Sequence, residues 1–347
     1  MADPFTLQAH ITDACDLQCH HCYRDERRQE LDLPTWQRVL DDFTAFCQQR
    51  RIEGRVTFAG GEPLLRFTDL VTLTRQATTS GHQVHLLTNG LRLTLVWAQE
   101  LKAAGCLRVQ VSIDGERAAH EAIRGKDTYE AALAGLEHAA TAGLARTISM
   151  TVDQTNARSV PAVAGIAAQY GAKLFVSRLV PCGRGAARAE QLLPASQWLA
   201  IMRLCLRQAR KTGGNVALRD PLYGRFQGHA TECSEGGVSG CACGYAGLAV
   251  EADGEAYPCR RLPVSLGNLK KVGLEEIWRS PVLEQLRDRD ALGGTCGTCG
   301  WRSRCGGCRA VAWATTGSYL ATDPQCPWAQ SGWQNVMALG LRCLRVG

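Results

Sequence analysis

The grouping of the cysteines constrains this chain more than any other feature of its sequence. The chain has 347 residues and 17 cysteines. Its N-terminus, Met1–Phe5, does not look like a signal peptide, so structural disulfides are not expected. Thiols in close groups instead indicate metal ligation. The groups are Cys15, Cys19 and Cys22; Cys233, Cys241, Cys243 and Cys259; and Cys296, Cys299, Cys305, Cys308 and Cys326.

The bulk composition is that of an ordinary globular protein. Hydrophobic residues make up 45% of the chain and charged residues 21%. The sequence contains no apolar run of about 18 residues that would predict a membrane span. We therefore expect a cytoplasmic protein with no membrane partner. The remaining cysteines are predicted to be small core residues or bystanders; they are Cys47, Cys106, Cys182, Cys205 and Cys343.

Residues 7–190 alternate between short apolar runs and segments with helical spacing, which predicts a parallel α/β sheet. The strand–helix units are too few for a closed eight-stranded barrel, so we predict an open, partial (β/α)6 barrel. The chemistry of such a sheet lies at the C-terminal ends of its strands. The predicted strands are 7–12, 55–59, 83–88, 107–113, 147–152 and 173–179, and the predicted helices include 32–48, 68–80, 129–142 and 159–170.

Composition also divides the chain into domains. The barrel is expected to occupy residues 1–190, followed by a helical bridge at 191–232 with a helix over 195–211. Residues 233–328 are rich in Gly, Cys and turn residues and cannot bury much apolar surface. Metal clusters would supply the missing stability of this loop-rich domain. The tail at 329–347 is predicted to form a short amphipathic helix.

The first cysteine group forms a loop directly after the first predicted strand. Cys15, Cys19 and Cys22 can hold three irons of a [4Fe–4S] cluster and leave the fourth iron open. The alternative is a zinc site completed by a histidine. The second predicted strand ends in Gly60-Gly61-Glu62-Pro63. Its glycines allow the backbone to approach a ligand closely, and its carboxylate suits an ammonium group.

Together these two motifs resemble those of the radical S-adenosylmethionine (SAM) superfamily. The resemblance implies that SAM chelates the open iron and is reductively cleaved to a 5′-deoxyadenosyl radical, which abstracts hydrogen from a substrate. It makes the three loop cysteines the catalytic residues. It also places Ser112 or Asp114 near the ribose and Arg124 near the SAM carboxylate, although such positions could instead be turn formers or solvated charges. The implied cofactor contacts are Tyr23, Gly60, Gly61, Glu62, Asn89, Ser112, Asp114, Arg124 and Arg178.

The later cysteines resemble the SPASM domain, an extension that binds two auxiliary [4Fe–4S] clusters in peptide-modifying radical SAM enzymes. Carried over, Cys243, Cys259 and Cys308 hold the first auxiliary cluster. Its fourth ligand is Cys241 or Cys233, because the Cys241-Ala-Cys243 pair is closer than usual. Taken alone, the segment also fits a zinc ribbon. The second auxiliary cluster would be held by Cys296, Cys299, Cys305 and Cys326.

The sequence thus predicts an oxidoreductase that uses three [4Fe–4S] clusters and SAM. The paired auxiliary clusters favour post-translational maturation of a ribosomally made peptide or protein. The stretch from Arg261 to Arg289, with Cys308-Arg309-Ala310, is similar to haem-biosynthesis enzymes, so a tetrapyrrole is the alternative substrate. A non-enzymatic zinc-binding interaction protein is the remote alternative.

The charge of the chain bears on its partners. The formal net charge is +6, but three thiolate-ligated clusters would contribute about −5. The loaded protein would therefore lie near neutrality, and no nucleic-acid partner is expected. The electron for SAM cleavage is expected from a flavodoxin- or ferredoxin-type reductant.

Overall fold

A single nine-stranded sheet organises the part of the chain that the computed structural model describes, residues 4–25, 28–226 and 240–329. The strands are β1 (Phe5–His10), β2 (Gly54–Ala59), β3 (Gln83–Thr88), β4 (Cys106–Ser112), β5 (Ala145–Val152), β6 (Lys173–Arg178), β7 (Val216–Leu218), β8 (Gly247–Val250) and β9 (Ala256–Tyr257). Their order along the sheet is β7-β6-β5-β4-β3-β2-β1-β8-β9. Neighbours from β1 to β7 are parallel, which confirms the predicted α/β class.

Helices connect the parallel strands and cover the sheet. In the described residues no helix has the length and hydropathy to cross a bilayer. The α-helices are α1 (Leu33–Arg50), α2 (Phe67–Thr79), α3 (Leu95–Ala103), α4 (Arg117–Arg124), α5 (Thr128–Thr141), α6 (Val160–Gln169), α7 (Ala195–Lys211), α8 (Tyr223–Phe226), α9 (Leu274–Trp278), α10 (Pro281–Arg287), α11 (Gly294–Gly297) and α12 (Arg309–Thr316). Short 3₁₀ helices span Pro63–Arg66, Ala157–Ser159, Gly183–Gln191 and Arg289–Ala291.

Helix α1 illustrates why the predicted elements form. The Asp32 side chain caps it by accepting a hydrogen bond from the Thr35 N–H at 3.0 Å, and a proline occupies its first turn. Arg51, in the left-handed conformation with φ of 53°, ends it. The predicted helix over 32–48 is therefore confirmed. The face that packs on the sheet consists of Trp36, Val39, Leu40, Phe43, Phe46 and Cys47.

The sheet extends beyond the six predicted strands at both edges. Strand β7, within the predicted helical bridge, pairs with β6, and β8 from the cysteine-rich region pairs in parallel with β1. Gly247 opens β8 because a Cβ there would lie 2.2 Å from the Thr6 carbonyl oxygen. The antiparallel strand β9 then completes a hairpin. The barrel and the cysteine-rich region therefore share one continuous sheet.

Four of the five cysteines outside the groups lie in the described residues, and they pack in or against the core as the sequence suggests. Cys47, Cys106 and Cys205 are buried in the apolar core. Cys182 is half-buried and packs against the same core. Cys233, Cys343 and the predicted tail helix lie outside the described residues.

Candidate active site and cysteine groups

The three cysteines of the first loop line one cavity, with a volume of about 260 Å³, at the C-terminal ends of the strands. Burial raises the pKa of the Cys15 thiol to about 12. Burial also raises the pKa of Cys19, against the lowering effect of Arg124, whose Nη1 lies 3.6 Å from the Cys19 Sγ. Three convergent thiols, one of them beside a cation, fit an iron–sulfur cluster that carries negative charge.

The Gly60-Gly61 pair is required by the packing of two turns. The Gly61 N–H donates to the Thr12 carbonyl at 2.8 Å, which fixes the turn after β2 against the start of the cysteine loop. A Cβ on Gly60 would lie 2.4 Å from the Thr12 oxygen, and one on Gly61 would lie 2.2 Å from the Ala14 oxygen. Both glycines also line the cavity, as predicted for a SAM contact.

The Glu62 carboxylate lies beneath the cavity instead of lining it. It is fully buried and accepts hydrogen bonds from the Thr88 hydroxyl (2.8 Å), the Asn89 N–H (2.8 Å) and the Leu64 N–H (3.1 Å). Burial raises its pKa to about 7, against the lowering effect of these bonds. Glu62 therefore holds the turn at the end of β3, whose Thr88 and Asn89 line the cavity.

Asp114 is likewise a supporting residue. Its carboxylate is fully buried and contacts Arg124 Nε at 2.7 Å, His21 Nε2 at 2.8 Å and the Thr151 N–H at 2.8 Å. Despite burial, Arg124 and His21 hold the pKa of Asp114 well below its ordinary range. Of the two residues predicted near the ribose, Ser112 lines the cavity and Asp114 instead orients Arg124, which lines it.

Arg178 is the predicted SAM contact that the structure places elsewhere. Its side chain is 2% exposed and does not line the cavity. Its Nε lies 2.6 Å from Asp220, and its Nη1 lies 3.0 Å from Asp323 and 3.2 Å from Gln325. The guanidinium is therefore occupied by ion pairs that join β6 to the cysteine-rich region, and the predicted contact is corrected to this role.

The turn after β6 supports the cysteine loop from the far side. Gly183 has φ of +57°, and a Cβ there would lie 2.3 Å from the Tyr23 carbonyl carbon. The Gly185 N–H donates to the Cys22 carbonyl at 2.8 Å. Tyr23 itself lines the cavity, and the Arg260 guanidinium lies 5.7 Å from its ring centroid.

Several cavity residues escaped sequence analysis. Three come from the inward-facing positions of β4 and β5, which strand alternation could have identified. The other two are arginines in the segment after Cys259. These residues are Gln110, Ser149, Thr151, Arg260 and Arg261.

The structure brings together four cysteines predicted for the first auxiliary cluster. The Cys243 thiol is in hydrogen-bonding contact with the thiols of Cys241 and Cys259. Cys308 interacts electrostatically with Cys241, and both are buried. Of the two candidates for the fourth ligand, Cys241 is therefore in the group, and Cys233 lies outside the described residues.

The cysteines predicted for the second auxiliary cluster line a separate cavity of about 300 Å³, together with Trp301 and Trp328. Arg309, which is fully buried, places its Nη2 3.7 Å from the Cys296 Sγ and donates to the Tyr319 and Ala321 carbonyls. A cation beside a thiolate ligand again fits a negatively charged cluster. The four cysteines are Cys296, Cys299, Cys305 and Cys326.

The two glycines between Cys305 and Cys308 form a tight turn. Gly306 and Gly307 have φ of +65° and +59°, a left-handed pair that glycine adopts most readily. The turn sends Cys305 into one cysteine group and Cys308 into the other. Within the described ranges, no three His, Cys, Asp or Glu side chains are placed to share a single metal ion. A four-iron cluster instead takes one thiolate at each iron.

Comparisons with known proteins agree with this arrangement. Residues 10–156 match the radical SAM superfamily, and residues 241–300 match an iron–sulfur cluster-binding domain, SPASM. The chain is 31% identical to an AdoMet-dependent heme synthase of Methanosarcina barkeri, over 93% of this chain and 96% of that protein. It is also 31% identical to the mycofactocin maturase MftC of Mycobacterium ulcerans, over 93% and 88%.

The fold also resembles solved structures. Native anSMEcpe with bound AdoMet superposes with a TM-score of 0.71 at 21% identity, covering 93% of this chain and 94% of that one. At this level of identity the likeness shows a shared fold, including the cysteine-rich region. The radical SAM and SPASM matches give no support to the zinc-binding alternative.

Proposed function

This chain belongs to the radical SAM superfamily and carries a SPASM domain. On that basis we propose which cysteines hold each cluster and which class of substrate the enzyme modifies. It is a radical SAM enzyme that binds SAM and iron–sulfur clusters. We assign one cluster to Cys15, Cys19 and Cys22. We assign two auxiliary clusters to the two later groups, with Cys241 as the fourth ligand of the first, which gives three in all. The proposed substrate is a ribosomally made peptide or protein.

One observation carries the assignment of the active site. The three loop cysteines line the same cavity as Gly60, Gly61 and other predicted SAM contacts. Cys15, Cys19 and Cys22 would hold a cluster with one open iron, which would supply the electron for reductive cleavage of SAM to a 5′-deoxyadenosyl radical. Gly60 and Gly61 offer backbone polar groups, and Arg124, held by Asp114, offers a cation to the SAM carboxylate. Tyr23 and Ser112 complete the wall of the cavity.

A peptide substrate is supported by the relatives. Mycofactocin maturase matches over 93% of this chain, and a PqqA peptide cyclase of Methylobacterium is 29% identical over the same share. One relative is named a maturase and the other a peptide cyclase, and peptide modification is transferred to this chain as a proposal. A flavodoxin- or ferredoxin-type protein would deliver the electrons.

A tetrapyrrole substrate is the second candidate. The heme synthase relative is 31% identical to this chain, as the maturase is, and the match covers 96% of its own length. An iron porphyrin that binds the protein with a shifted Soret band and is changed in mass would favour this candidate. A mass change in a peptide encoded beside the gene would favour the first.

The active-site assignment is tested with anaerobically prepared, cluster-loaded protein. The wild type is expected to contain about twelve irons per chain. When dithionite and SAM are added, it is expected to release 5′-deoxyadenosine. Cys19→Ala should release only background amounts, because it removes one of three ligands. Cys205→Ala, which removes a buried thiol from α7, is the matched control and should behave as wild type. Equal activity in the two variants, or zinc without acid-labile sulfide in the wild type, would contradict the assignment.

A further inference from the structure

The inner face of the sheet carries arginines below the SAM cavity. Arg108 precedes the cavity residue Gln110 by two positions on β4, so both side chains leave the same face. His85 pairs with Arg108 in the parallel register. Arg219 follows β7, and its guanidinium lies 3.8 Å from the ring centroid of Phe175 on neighbouring β6. The inner arginine group consists of Arg108 and Arg219 on this face and of Arg260, which lines the SAM cavity.

Electrostatic interactions place these side chains near one another. Although Arg219 is exposed to solvent, partial desolvation, followed by repulsion from Arg260 and from Arg55, Arg108 and Arg261, lowers its pKa to about 10. Arg219 is therefore within electrostatic range of the Arg260 and Arg261 pair, which lines the SAM cavity, and of Arg55 and Arg108 on the strands.

His85 lies in the same positively charged surroundings. Burial and repulsion from Arg55, Arg108 and Arg219 lower its pKa to about 4. In the part of the chain that the structure describes, the charged groups that act on this histidine are all cations. The inner face is thus a region where positive charges repel one another, and an anion would relieve that repulsion.

Within the described ranges, carboxylates do not neutralise the inner arginine group by ion pairing. Arg260 donates to the neutral Gln8 side chain at 3.1 Å. The Arg108 Nε is buried without a hydrogen-bond partner. Asp220, the residue after Arg219, is held by Arg178 at 2.6 Å. The nearest carboxylate along the chain is therefore already committed to another cation.

We propose that the inner arginine group binds carboxylates of the substrate and so orients the substrate beneath SAM. A guanidinium offers a planar fork of donors that matches a carboxylate. Several guanidiniums on one face suit a substrate that carries more than one carboxylate. This rests on the proposed function, whose two candidate substrates can both meet it: a peptide with acidic side chains, and a tetrapyrrole with propionates.

The test measures binding to cluster-loaded, SAM-bound protein under anaerobic conditions. One pair of probes is an iron porphyrin bearing propionates and its methyl ester. The other pair is a glutamate-rich peptide and its glutamine counterpart. At least one acidic probe should bind about tenfold or more tightly than its neutral partner, and added salt should weaken that binding. A preference confined to the porphyrin pair or to the peptide pair identifies the source of the carboxylates.

The variants are Arg219→Gln and Arg108→Gln, with Arg203→Gln on the exposed face of α7 as the matched control. Arg219→Gln and Arg108→Gln should each weaken binding of the acidic probe by about tenfold to a hundredfold. Arg219→Lys should retain part of the affinity that Arg219→Gln loses. The neutral probes should be unaffected. Release of 5′-deoxyadenosine without substrate should continue in all variants, which shows that they fold and hold the first cluster.

Two failures can be told apart. If the wild type releases no 5′-deoxyadenosine, the proposed function fails. If release is normal but acidic and neutral probes bind equally, or if both inner variants bind the acidic probe as Arg203→Gln does, the carboxylate site is refuted and the proposed function stands.

Discussion

Three hydrogen-bond donors converge on the buried carboxylate of Glu62, and their distribution over its two oxygens is unequal. Oε1 accepts from the Leu64 N–H and the Thr88 hydroxyl, whereas Oε2 accepts only from the Asn89 N–H. A glutamine at this position could keep both bonds to its amide oxygen. Its amide nitrogen would then face the Asn89 N–H, so of the three native donors only this one would lose its acceptor.

This geometry predicts a graded effect. Glu62→Ala leaves all three donors without an acceptor. Glu62→Gln should therefore weaken SAM binding less than Glu62→Ala does, and it should lower the midpoint of thermal unfolding by a smaller amount. Each buried donor left without a partner costs about 1–3 kcal/mol. Equilibrium dialysis with SAM and anaerobic thermal melts measure the order, with Glu137→Ala on the exposed face of α5 as control. Equal losses in the two Glu62 variants would mean that the charge matters and the hydrogen bonds do not.

The roles of Asp114 and Arg178 show where sequence analysis of a site stops. The motifs correctly place both residues at or next to the C-terminal end of a strand. They do not tell whether a charged side chain turns into the cavity or toward a partner distant in sequence. Asp114 turns to His21, 93 residues earlier, and Arg178 turns to Asp323, 145 residues later. Cys15, Cys19 and Cys22 were predictable because their spacing within one loop already brings the thiols together.

Among the strands and helices, those whose own sequence carries a repeating apolar pattern could be predicted. The helix α7 is predicted with the observed bounds because its apolar spacing repeats over 17 residues. Strands β7 and β8 have 3 and 4 residues and no local signal of their own. Each exists because an edge of the sheet accepts its backbone.

The end of β6 depends on Arg178, which leads to a prediction about the auxiliary groups. Arg178 is ion-paired with Asp220 and Asp323, and Asp323 also accepts from the Cys308 N–H at 2.8 Å. Arg178→Met would leave two buried carboxylates without their cation, at a cost of about 3–5 kcal/mol. We expect a lower thermal midpoint and loss of iron from the auxiliary clusters, measured by iron analysis after gel filtration.

The comparison that isolates the ion pair uses two further variants. Arg203→Met removes an exposed arginine from α7 and should retain iron as the wild type does. Asp323→Asn in the Arg178→Met background should cost less than the sum of the single changes, because the two residues are in contact. Additive losses would show that Arg178 acts by packing alone.

For the molecule as a whole, the continuous sheet brings the cysteine-rich region against the proposed active site, whose cavity Arg260 and Arg261 help to line. The β8–β9 hairpin carries Glu251, whose carboxylate lies 2.9 Å from His10 Nδ1, is paired with Arg24 and lies 3.2 Å from Arg28. Arg24 follows the cysteine loop and also pairs with Asp13, which precedes it. A carboxylate from the C-terminal half of the chain thus fixes both ends of the loop that carries Cys15, Cys19 and Cys22.

This connection predicts that a change in the SPASM domain impairs SAM cleavage directly. Although burial raises the pKa of Glu251, His10, Arg24 and Arg28 lower it to about 2. The ionised form is therefore favoured in the folded protein, by about 3 kcal/mol relative to an ordinary glutamate. Because the folded pKa is depressed, this stabilisation is present at neutral pH and is lost only as the pH falls below about 4.5 toward 2. Glu251→Gln should remove it at pH 7.

The expected result is selective. Glu251→Gln should lower the yield of 5′-deoxyadenosine and the iron retained by the first loop, whereas the auxiliary clusters, whose cysteines Glu251 does not contact, should keep their iron. A triple Cys15→Ala, Cys19→Ala and Cys22→Ala background reports the auxiliary iron alone and separates the two pools. Glu276→Gln, an exposed charge on α9, is the control and should change neither. If Glu251→Gln loses auxiliary iron while SAM cleavage per remaining first cluster is normal, the hairpin stabilises its own domain and does not position the catalytic loop.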